Sequence, residues 1–423
     1  MSGPATVSGL AARAEALDAG DPLARFRGLF VDSPEVISYL DGNSLGRPLR
    51  RTADDVRRFA EDEWGGRLIR GWDERWLDLP LELGDRLGAA CLGAAAGQTV
   101  VADSTTVNLY KLIRAAIELA NADPAGPART EIVADTDNFP TDRYLVDGIA
   151  AERGMSVRWI DADPLTGVTA AQAAEAISER TAVVVLSHVA YRSGYIADAR
   201  AITALAHAAG ALVVWDLCHS AGAVPVELDA WGADFAAGCT YKYLNGGPGS
   251  PAFAYIAARH LPALRQPIQG WLGRRDAFEM GPGYEPADGI RRFISGTPPI
   301  FAMLPLTGML SLVEEAGIAA IREKSVALTE FAIAAHRELL APLGVTLASP
   351  ENAAVRGGHV TLEHPGFREL TQRLWARGVI PDFRAPQGLR LGLSPLSTGY
   401  GETLRGIEAI RDELARSDAG LPV

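Results

Sequence analysis

Lysine is scarce in this chain, and one of its three lysines stands where a free amine could do chemistry. Lysine occurs only at Lys111, Lys242 and Lys324, and arginine supplies the other 37 of the 40 basic residues. A guanidinium stays protonated in proteins, whereas an amine that has lost its proton is a nucleophile and a base. Lys242 lies in the run TYKYLNGGPG, between an apolar stretch and a glycine-rich turn. This position makes Lys242 the candidate nucleophile, with an ammonium contact to a phosphate as the alternative.

The other two lysines are interpreted as surface residues. Lys324 ends the charged run Arg322-Glu323-Lys324, which is typical of an exposed helical face. Lys111 falls in a helical pattern three residues before an arginine. We therefore expect both amines to be solvated.

Polar residues follow two further apolar runs. Ser104, Thr105 and Thr106 stand where a strand pattern gives way to a helical pattern, so their hydroxyls could cap that helix or hold a phosphate at its N-terminus. Asp216 ends the run ALVVW and either caps the next turn or pairs with a cation such as the protonated ring nitrogen of pyridoxal phosphate (PLP). His219 could face the same ring or be structural.

The elements that must position these residues alternate between β and α patterns from about residue 99 onward. This alternation predicts a mostly parallel sheet with helices on both faces, in which ligands bind at the carboxyl ends of the strands. The predicted strands are Thr99–Asp103, Glu131–Asp135, Ser156–Ile160, Ala182–Ser187, Ala211–Asp216 and Phe235–Thr240. The predicted helices between them are Val107–Ala120, Arg143–Glu152, Ala170–Ser178 and Arg200–Ala209.

From about residue 300 the pattern predicts a smaller α+β domain. We expect an N-terminal segment (1–60) that joins the small domain, a large cofactor-binding domain (61–305) and the small C-terminal domain (306–423). The predicted elements after residue 300 are helices Ile300–Glu315, Ile318–Leu340, Phe367–Arg377 and Glu402–Arg416, with strands Val345–Ala348, His359–Leu362 and Leu389–Leu393.

Composition excludes several classes of protein. Hydrophobic residues make up 48% and charged residues 22% of the chain, as in an ordinary globular protein. The net charge of −12 argues against a nucleic-acid partner. Three cysteines are too few for a disulfide framework, and no apolar run is long enough to span a bilayer. Together with the absence of a signal-peptide pattern, these features predict a cytoplasmic enzyme without a metal site.

Several motifs resemble the fold-type-I PLP enzymes of the class V aminotransferase group, and within that group the kynureninase family. The resemblance runs along nearly the whole chain, and its most specific parts are the YKYLN run, Trp271 and the DGNSLG segment. The matching segments are DGNSLG (41–46), TTVNL (105–109), NFPTD (138–142), WDLCHSAGA (215–223), TYKYLNGGPGS (240–250), GWLG (270–273), SGTPPI (295–300) and RGGHV (356–360).

The resemblance implies a role for each matching position around the cofactor. Lys242 would carry PLP as a Schiff base, Asp216 would pair with its ring nitrogen, and Phe139 would stack on its ring. Trp271 and Thr297 would reach the phosphate of a neighbouring subunit, which implies a homodimer with shared sites. The other positions implied to bind the cofactor are Thr105, Thr106, Pro140, Thr141, Asp142, Ser187, His219 and Tyr241.

The implied reaction is hydrolysis of L-kynurenine to anthranilate and L-alanine by Cβ–Cγ cleavage. Lys242 would move the Cα proton, and Tyr241 would be the acid and the oxyanion donor. Arg390 would bind the substrate α-carboxylate through two hydrogen bonds, and Asn43 would help to position the substrate. Whether such an enzyme serves tryptophan catabolism or NAD synthesis is left open by the sequence.

The resemblance also suggests which residues meet the aromatic ring of the substrate. Trp64, Gly296 and Thr297 match positions where eukaryotic relatives tend to have His, Ser and Asn. We therefore expect a preference for L-kynurenine over its 3-hydroxy derivative, as in bacterial members. Trp72 competes with Trp64 for the first position, and Trp64 could instead pack in the core of the small domain.

Three other functions are weighed. Cysteine desulfurases and selenocysteine lyases of the same fold use a cysteine well after the cofactor lysine and a histidine just before it. This chain has no cysteine after Lys242, and Tyr241 precedes it. A transaminase or an epimerase is not eliminated by motifs alone. A non-catalytic PLP-binding module is disfavoured because every matched position is intact and no basic DNA-binding extension is present.

Overall fold

A seven-stranded sheet forms the centre of the computed structural model, which describes residues 4–418. Its strand order is β2-β8-β7-β6-β5-β3-β4, and every strand except β8 runs in the same direction. The strands of the described chain are β1 Ser38–Tyr39, β2 Thr99–Val101, β3 Glu131–Asp135, β4 Ser156–Ile160, β5 Thr181–Ser187, β6 Leu212–Asp216, β7 Phe235–Gly238, β8 Phe253–Ile256, β9 Thr346–Leu347, β10 His359–Glu363, β11 Val379–Ile380, β12 Asp382–Arg384 and β13 Gly388–Gly392.

Helices cover this sheet and form most of the remaining structure. Two apolar clusters lie on its two faces, and successive residues of β5 alternate between them: Val183 and Val185 belong to one, Val184 and Leu186 to the other. The α-helices are α1 Pro4–Ala19, α2 Ala24–Arg27, α3 Thr52–Arg58, α4 Leu79–Leu87, α5 Thr105–Ala120, α6 Pro140–Arg153, α7 Ala170–Ala176, α8 Ala199–Ala208, α9 Leu228–Trp231, α10 Ile300–Ala316, α11 Ile318–Leu339, α12 Phe367–Ala376 and α13 Tyr400–Asp418.

The predicted fold class is confirmed in the central sheet. All six predicted strands are present, and each begins and ends within two residues of the predicted position. Strand β8 was missed because it is antiparallel and is joined to β7 by a loop rather than a helix. The loop that joins them contains Lys242, so this reversal shapes the turn on which the candidate nucleophile lies.

The C-terminal part contains a four-stranded antiparallel sheet in the order β12-β13-β10-β9. The core beneath it also includes Leu10 and Leu40, so part of the N-terminal segment packs here. Phe26 and Leu49 instead belong to the core on one face of the central sheet. The boundaries at residues 60 and 305 stay predictions, and their outermost residues (1–3 and 419–423) lie outside the described structure.

Residues 40–47, which we call the connecting segment, contact both parts of the protein. Its Gly42 N–H donates to the carbonyl oxygen of Gly392 in β13 (3.0 Å), and its Gly46 N–H donates to the carbonyl oxygen of Tyr241 (2.9 Å). A Cβ atom at Gly46 would lie 2.5 Å from the carbonyl oxygen of Lys242, so only glycine allows this approach.

By length and apolarity, no individual helix within residues 4–418 qualifies as a membrane span. Helices α10 and α11 pass the same test only when taken together, and they meet at an angle of 87°. Many of their apolar residues are buried in the two cores.

Candidate active site

A cavity of about 130 Å³ opens where the carboxyl ends of β2 and β6 meet the starts of α5 and α6. Nine of the residues predicted to bind the cofactor line it, and Tyr191 and Cys218 complete the wall. The nine are Thr105, Thr106, Phe139, Thr141, Asp142, Asp216, His219, Tyr241 and Lys242. The structure therefore brings together positions that are spread over 138 residues of sequence.

The amine of Lys242 contacts a neutral imidazole. Its Nζ lies 3.0 Å from His219 Nε2 and 5.8 Å from the centre of the Phe139 ring. Burial lowers the pKa of His219 well below its usual range, and the positive charges of Lys242 and Arg390 act in the same direction. His219 Nε2 can therefore accept a hydrogen bond from Lys242. Within residues 4–418 no carboxylate forms an ion pair with this amine.

Asp216 is held by two donors at the end of β6. The Cys218 N–H donates to Oδ1 (2.8 Å), and the Ser187 hydroxyl lies 3.1 Å from Oδ2. Ser187 ends β5 and is directly opposite Asp216 in the parallel register, which explains their contact. Its hydroxyl is also 2.9 Å from Asn138 Oδ1, so these oxygens compete for one proton. These contacts fix the orientation of the Asp216 carboxylate, which lines the cavity.

The start of α5 forms the side of the cavity that suits an anion. Ser104 caps this helix, and its hydroxyl oxygen accepts a hydrogen bond from the Val107 N–H (3.4 Å). Thr105 and Thr106 follow at the first helical positions, where free N–H groups and the helix dipole favour negative charge. The capping role and a phosphate-binding role are therefore compatible. Tyr241 lies in the same wall, and burial raises the pKa of its hydroxyl, so it stays protonated at neutral pH.

Asp142 is the second carboxyl group of the cavity. It lies in the first turn of α6, is 3% exposed, and its Oδ2 has no hydrogen-bond partner. Burial raises its pKa well above the usual range, and the nearby carboxylates of Asp216 and Asp135 reinforce this shift. Pro140 occupies the first helical position of the same turn and does not line the cavity.

Arg390, predicted to bind the substrate carboxylate, already has partners. It is 1% exposed, its Nε and Nη2 contact Asp382 Oδ2 at 2.7 and 2.5 Å, and its Nη1 donates to the carbonyl oxygen of Tyr191 (2.7 Å). Tyr191 lines the cavity, so the guanidinium lies just behind its wall. Asn43 is fully buried, and neither atom of its amide group has a partner. A carboxylate that binds here must share Arg390 with Asp382.

Eight predicted residues do not line this cavity, and four of them are exposed. Trp64 is 54% exposed and contacts Phe301 edge-on, which excludes the alternative that it packs in a core. Trp271 is 40% exposed. Gly296 and Thr297 are also exposed, and no atom lies within 4 Å of where a Cβ at Gly296 would be.

The prediction that Lys111 and Lys324 are solvated is wrong. Lys111 is fully buried, and its Nζ lies 3.0 Å from Asp103 Oδ2. Lys324 is 4% exposed and forms an ion pair of 2.7 Å with the buried carboxylate of Asp21. Burial lowers the pKa of both amines, and in each case the aspartate opposes the shift. Helical charge patterns did not reveal that distant segments cover these positions.

Sequence reasoning missed three residues that shape the site. Tyr191 stacks edge-on against Phe139 with ring centres 5.4 Å apart, and Cys218 lines the cavity two residues after Asp216. Their places just beyond the ends of β5 and β6 were a usable signal. Asp382 could not be found, because strand β12, which pairs it with Arg390, was not predicted.

Similar proteins were found by sequence and by structure. The family model described as "Kynureninase C-terminal domain" matches residues 321–410, and that of the DegT/DnrJ/EryC1/StrS aminotransferase family matches residues 125–227. The chain is 43% identical to a kynureninase of Pseudomonas fluorescens over 405 residues, which are 95% of this chain and 94% of that protein. It is 44% identical to a kynureninase of Burkholderia pseudomallei (strain 1106a), over 94% of each protein.

Solved structures share the fold. A cysteine desulfurase from Thermococcus onnurineus NA1 gives a TM-score of 0.78 at 19% identity, over 94% of this chain and 98% of that one. The cysteine desulfurase CsdA from Escherichia coli gives 0.76 at 17% identity, over 95% and 99% of the two chains. At such identities the likeness shows the fold alone. The sequence relatives go further: with 43% identity over 95% of its length, this chain belongs to the kynureninase family.

Proposed function

We propose that this protein hydrolyses L-kynurenine to anthranilate and L-alanine, with PLP bound at Lys242. The observation that carries the proposal is the cavity of this kynureninase-family chain, in which the amine of Lys242, the carboxylate of Asp216 and the phenol of Tyr241 face one space. No group of three or more His, Cys, Asp or Glu residues suited to a metal occurs in residues 4–418.

The residues of the cavity fit PLP. The start of α5, with Thr105 and Thr106, would hold the phosphate, and Asp216 would pair with the ring nitrogen. Buried polar atoms without partners, Asp142 Oδ2 and His219 Nδ1, are those that a polar cofactor could satisfy. When bound, PLP would draw electrons from the Cα of the substrate, which is chemistry that the side chains cannot supply.

Lys242 and His219 would handle the Cα proton. The neutral imidazole accepts a hydrogen bond from the amine and so fixes its direction. A lysine freed from its bond to the cofactor could then remove the Cα proton and return a proton to the product. No carboxylate pairs with this amine among the residues that the structure describes.

Tyr241 and the carboxylate site would act on the two ends of the substrate. The phenol of Tyr241 stays protonated and could donate to the ketone oxygen while water adds and negative charge grows there. Arg390 and the amide of Asn43, which lacks a partner, would bind the α-carboxylate. Sharing of Arg390 with Asp382 would make this contact selective for a correctly placed carboxylate.

The proposed assembly is a homodimer with shared sites in the cytoplasm. The support is an exposed apolar surface that a monomer would leave in water, including Trp64 on Phe301 and Trp271 on Phe278. These exposed residues include Trp271, which is expected to reach the phosphate in the site of a neighbouring subunit. Sedimentation of the purified protein tests the dimer independently of activity.

Anthranilate fluorescence after addition of L-kynurenine to the PLP-loaded protein tests the reaction. We expect anthranilate and L-alanine in equal amounts, and neither with the Lys242→Ala variant. Formation of a 2-oxo acid in place of alanine would favour a transaminase. Sulfide release from L-cysteine would favour a desulfurase, although Cys91, Cys218 and Cys239 are all buried and none of them follows Lys242 in the sequence.

A further inference from the structure

Lys111 lies in helix α5, less than two turns beyond the threonines that begin this helix. Its Nζ is 3.0 Å from Asp103 Oδ2 and 3.0 Å from the Ser295 hydroxyl, and it donates to the carbonyl oxygen of Phe293. The same nitrogen lies 4.0 Å from the centre of the Phe293 ring. These three oxygen partners account for all three hydrogens of the ammonium group.

This amine is fully buried, so its contacts must offset the cost of removing a charge from water. A carboxylate, a carbonyl and a hydroxyl do so together. If one partner were lost, the charge would be left under-satisfied. The contacts are therefore strong constraints on the two chain segments that provide them.

The two segments joined by Lys111 both belong to the proposed site. Asp103 has a left-handed backbone (φ 53°) and directly precedes Ser104, the cap of the helix whose first turn lines the cavity. Phe293 and Ser295 are more than 180 residues away in sequence and directly precede Gly296 and Thr297, which are exposed.

We propose that Lys111 is a positioning residue that fixes residues 293–297 against the start of α5, and thereby sets where Gly296 and Thr297 enter the site of the neighbouring subunit. The inference rests on the proposed shared site. It assigns to Lys111 an effect on the cofactor site of the other subunit, although its own chain holds a complete cavity around Lys242.

Lys324 provides the matched control, because it is also a buried lysine paired with an aspartate but has none of these contacts. We compare Lys111→Met with Lys324→Met, since methionine keeps much of the side-chain volume and removes the charge. Lys111→Met should speed hydrogen exchange of the peptide covering residues 290–299 and raise the PLP concentration for half-occupancy about tenfold, the size expected when a contact is misplaced by less than an ångström. Lys324→Met should change neither, although both variants lower thermal stability.

Co-expression of Lys111→Met with Lys242→Ala chains tests whether Lys111 acts on the cofactor site of its own chain or on that of the neighbouring subunit. Only Lys242-bearing sites give the absorbance band of lysine-bound PLP, and in a mixed dimer that site faces a subunit with an intact Lys111. About half of the absorbing sites should then regain the wild-type PLP affinity, by random pairing of the two chains. If every site stays weak, or if Lys111→Met leaves PLP affinity within twofold of wild type, the inference is wrong. A monomer in sedimentation would instead contradict the proposed assembly.

Discussion

The predicted site has two parts, which differ in burial and in their polar contacts. One part is the cavity around Lys242, and the other consists of the exposed residues Trp64, Trp271, Gly296 and Thr297. The cavity is walled by residues from five separate stretches of one chain and holds buried polar atoms without partners. The exposed residues lie in water and do not line the cavity. This difference is what we expect if one chain provides the groups that contact the cofactor and a second copy, as we propose, helps to enclose the substrate.

The lysines associated with the two parts differ in their polar partners. Lys242 faces a neutral imidazole, whereas Lys111, which holds the segment leading to Thr297, is paired with a carboxylate. A carboxylate keeps a buried amine charged and therefore fixed in a structural role. Lysine pairing thus distinguishes Lys242, the amine that we propose to react, from the amines that hold the framework.

The largest expected effect comes from breaking the cavity. Lys242→Ala should lower kcat at least about 10³-fold, because it removes both the attachment point of the cofactor and the proton-transfer group. Borohydride reduction of the wild-type protein should fix PLP to Lys242, as shown by peptide mapping. Reduced PLP found on Lys111 or Lys324 would show that an amine paired with a carboxylate is reactive, which would contradict the proposed difference between the lysines.

The next effect tests whether a paired amine is structural. Lys324→Met leaves the carboxylate of Asp21 buried without its ion pair, which should lower the free energy of unfolding by about 3–5 kcal/mol. Asp21→Asn in the same chain should recover most of this loss, since the amide oxygen can still accept from the Leu23 N–H. Urea titration measures both variants. Equal stability of Lys324→Met and wild type would contradict this prediction.

A smaller effect concerns the exposed part and the choice of substrate. The wild-type protein should prefer L-kynurenine over 3-hydroxykynurenine, because a tryptophan leaves the added hydroxyl buried without a partner at a cost of about 1–3 kcal/mol, or about 5- to 150-fold in kcat/KM. Trp64→His should reduce the preference, with Trp72→His as the control. A preference unchanged by Trp64→His would remove Trp64 from the site.

The smallest expected effect is the activity regained when two inactive variants form mixed dimers. Lys242→Ala and Trp271→Ala should each be inactive, but co-expressed chains should regain about a quarter of wild-type activity, since half of the dimers contain one intact site out of two. Anthranilate release measures the recovery. Full activity of a protein that sediments as a monomer would show that one chain also encloses the substrate.

The sequence predicted the cavity well because its residues follow strands. Ser187 and Asp216 end strands of clear apolar character, and the parallel register places them opposite each other. By contrast, burial of Lys111 depends on residues 293–295, which pack on α5 from a distant part of the chain. No local pattern reports such a contact, so the helical spacing led to the wrong prediction.

The contact between Arg390 and Asp382 could not be predicted from the sequence for a similar reason. Asp382 lies opposite Arg390 in an antiparallel pair, but β12 is only three residues long and has no alternating apolar pattern. The role of Trp64 stays a prediction, because no part of the described chain covers this side chain. Local sequence patterns reveal where strands end. Which side chains pair, and which surfaces are covered, can be seen only in the folded chain or in its assembly.

The connecting segment sets an order of events during synthesis. Residues 40–47 leave the ribosome before their hydrogen-bond partners Tyr241 and Gly392, which come about 200 and 350 residues later. At a usual rate of about 5–20 residues per second, the segment waits about 10–40 s for the first partner and about 17–70 s for the second. A nascent chain can build the central sheet in this interval, but it cannot tie the lysine turn to the C-terminal sheet until Gly392 has been synthesised.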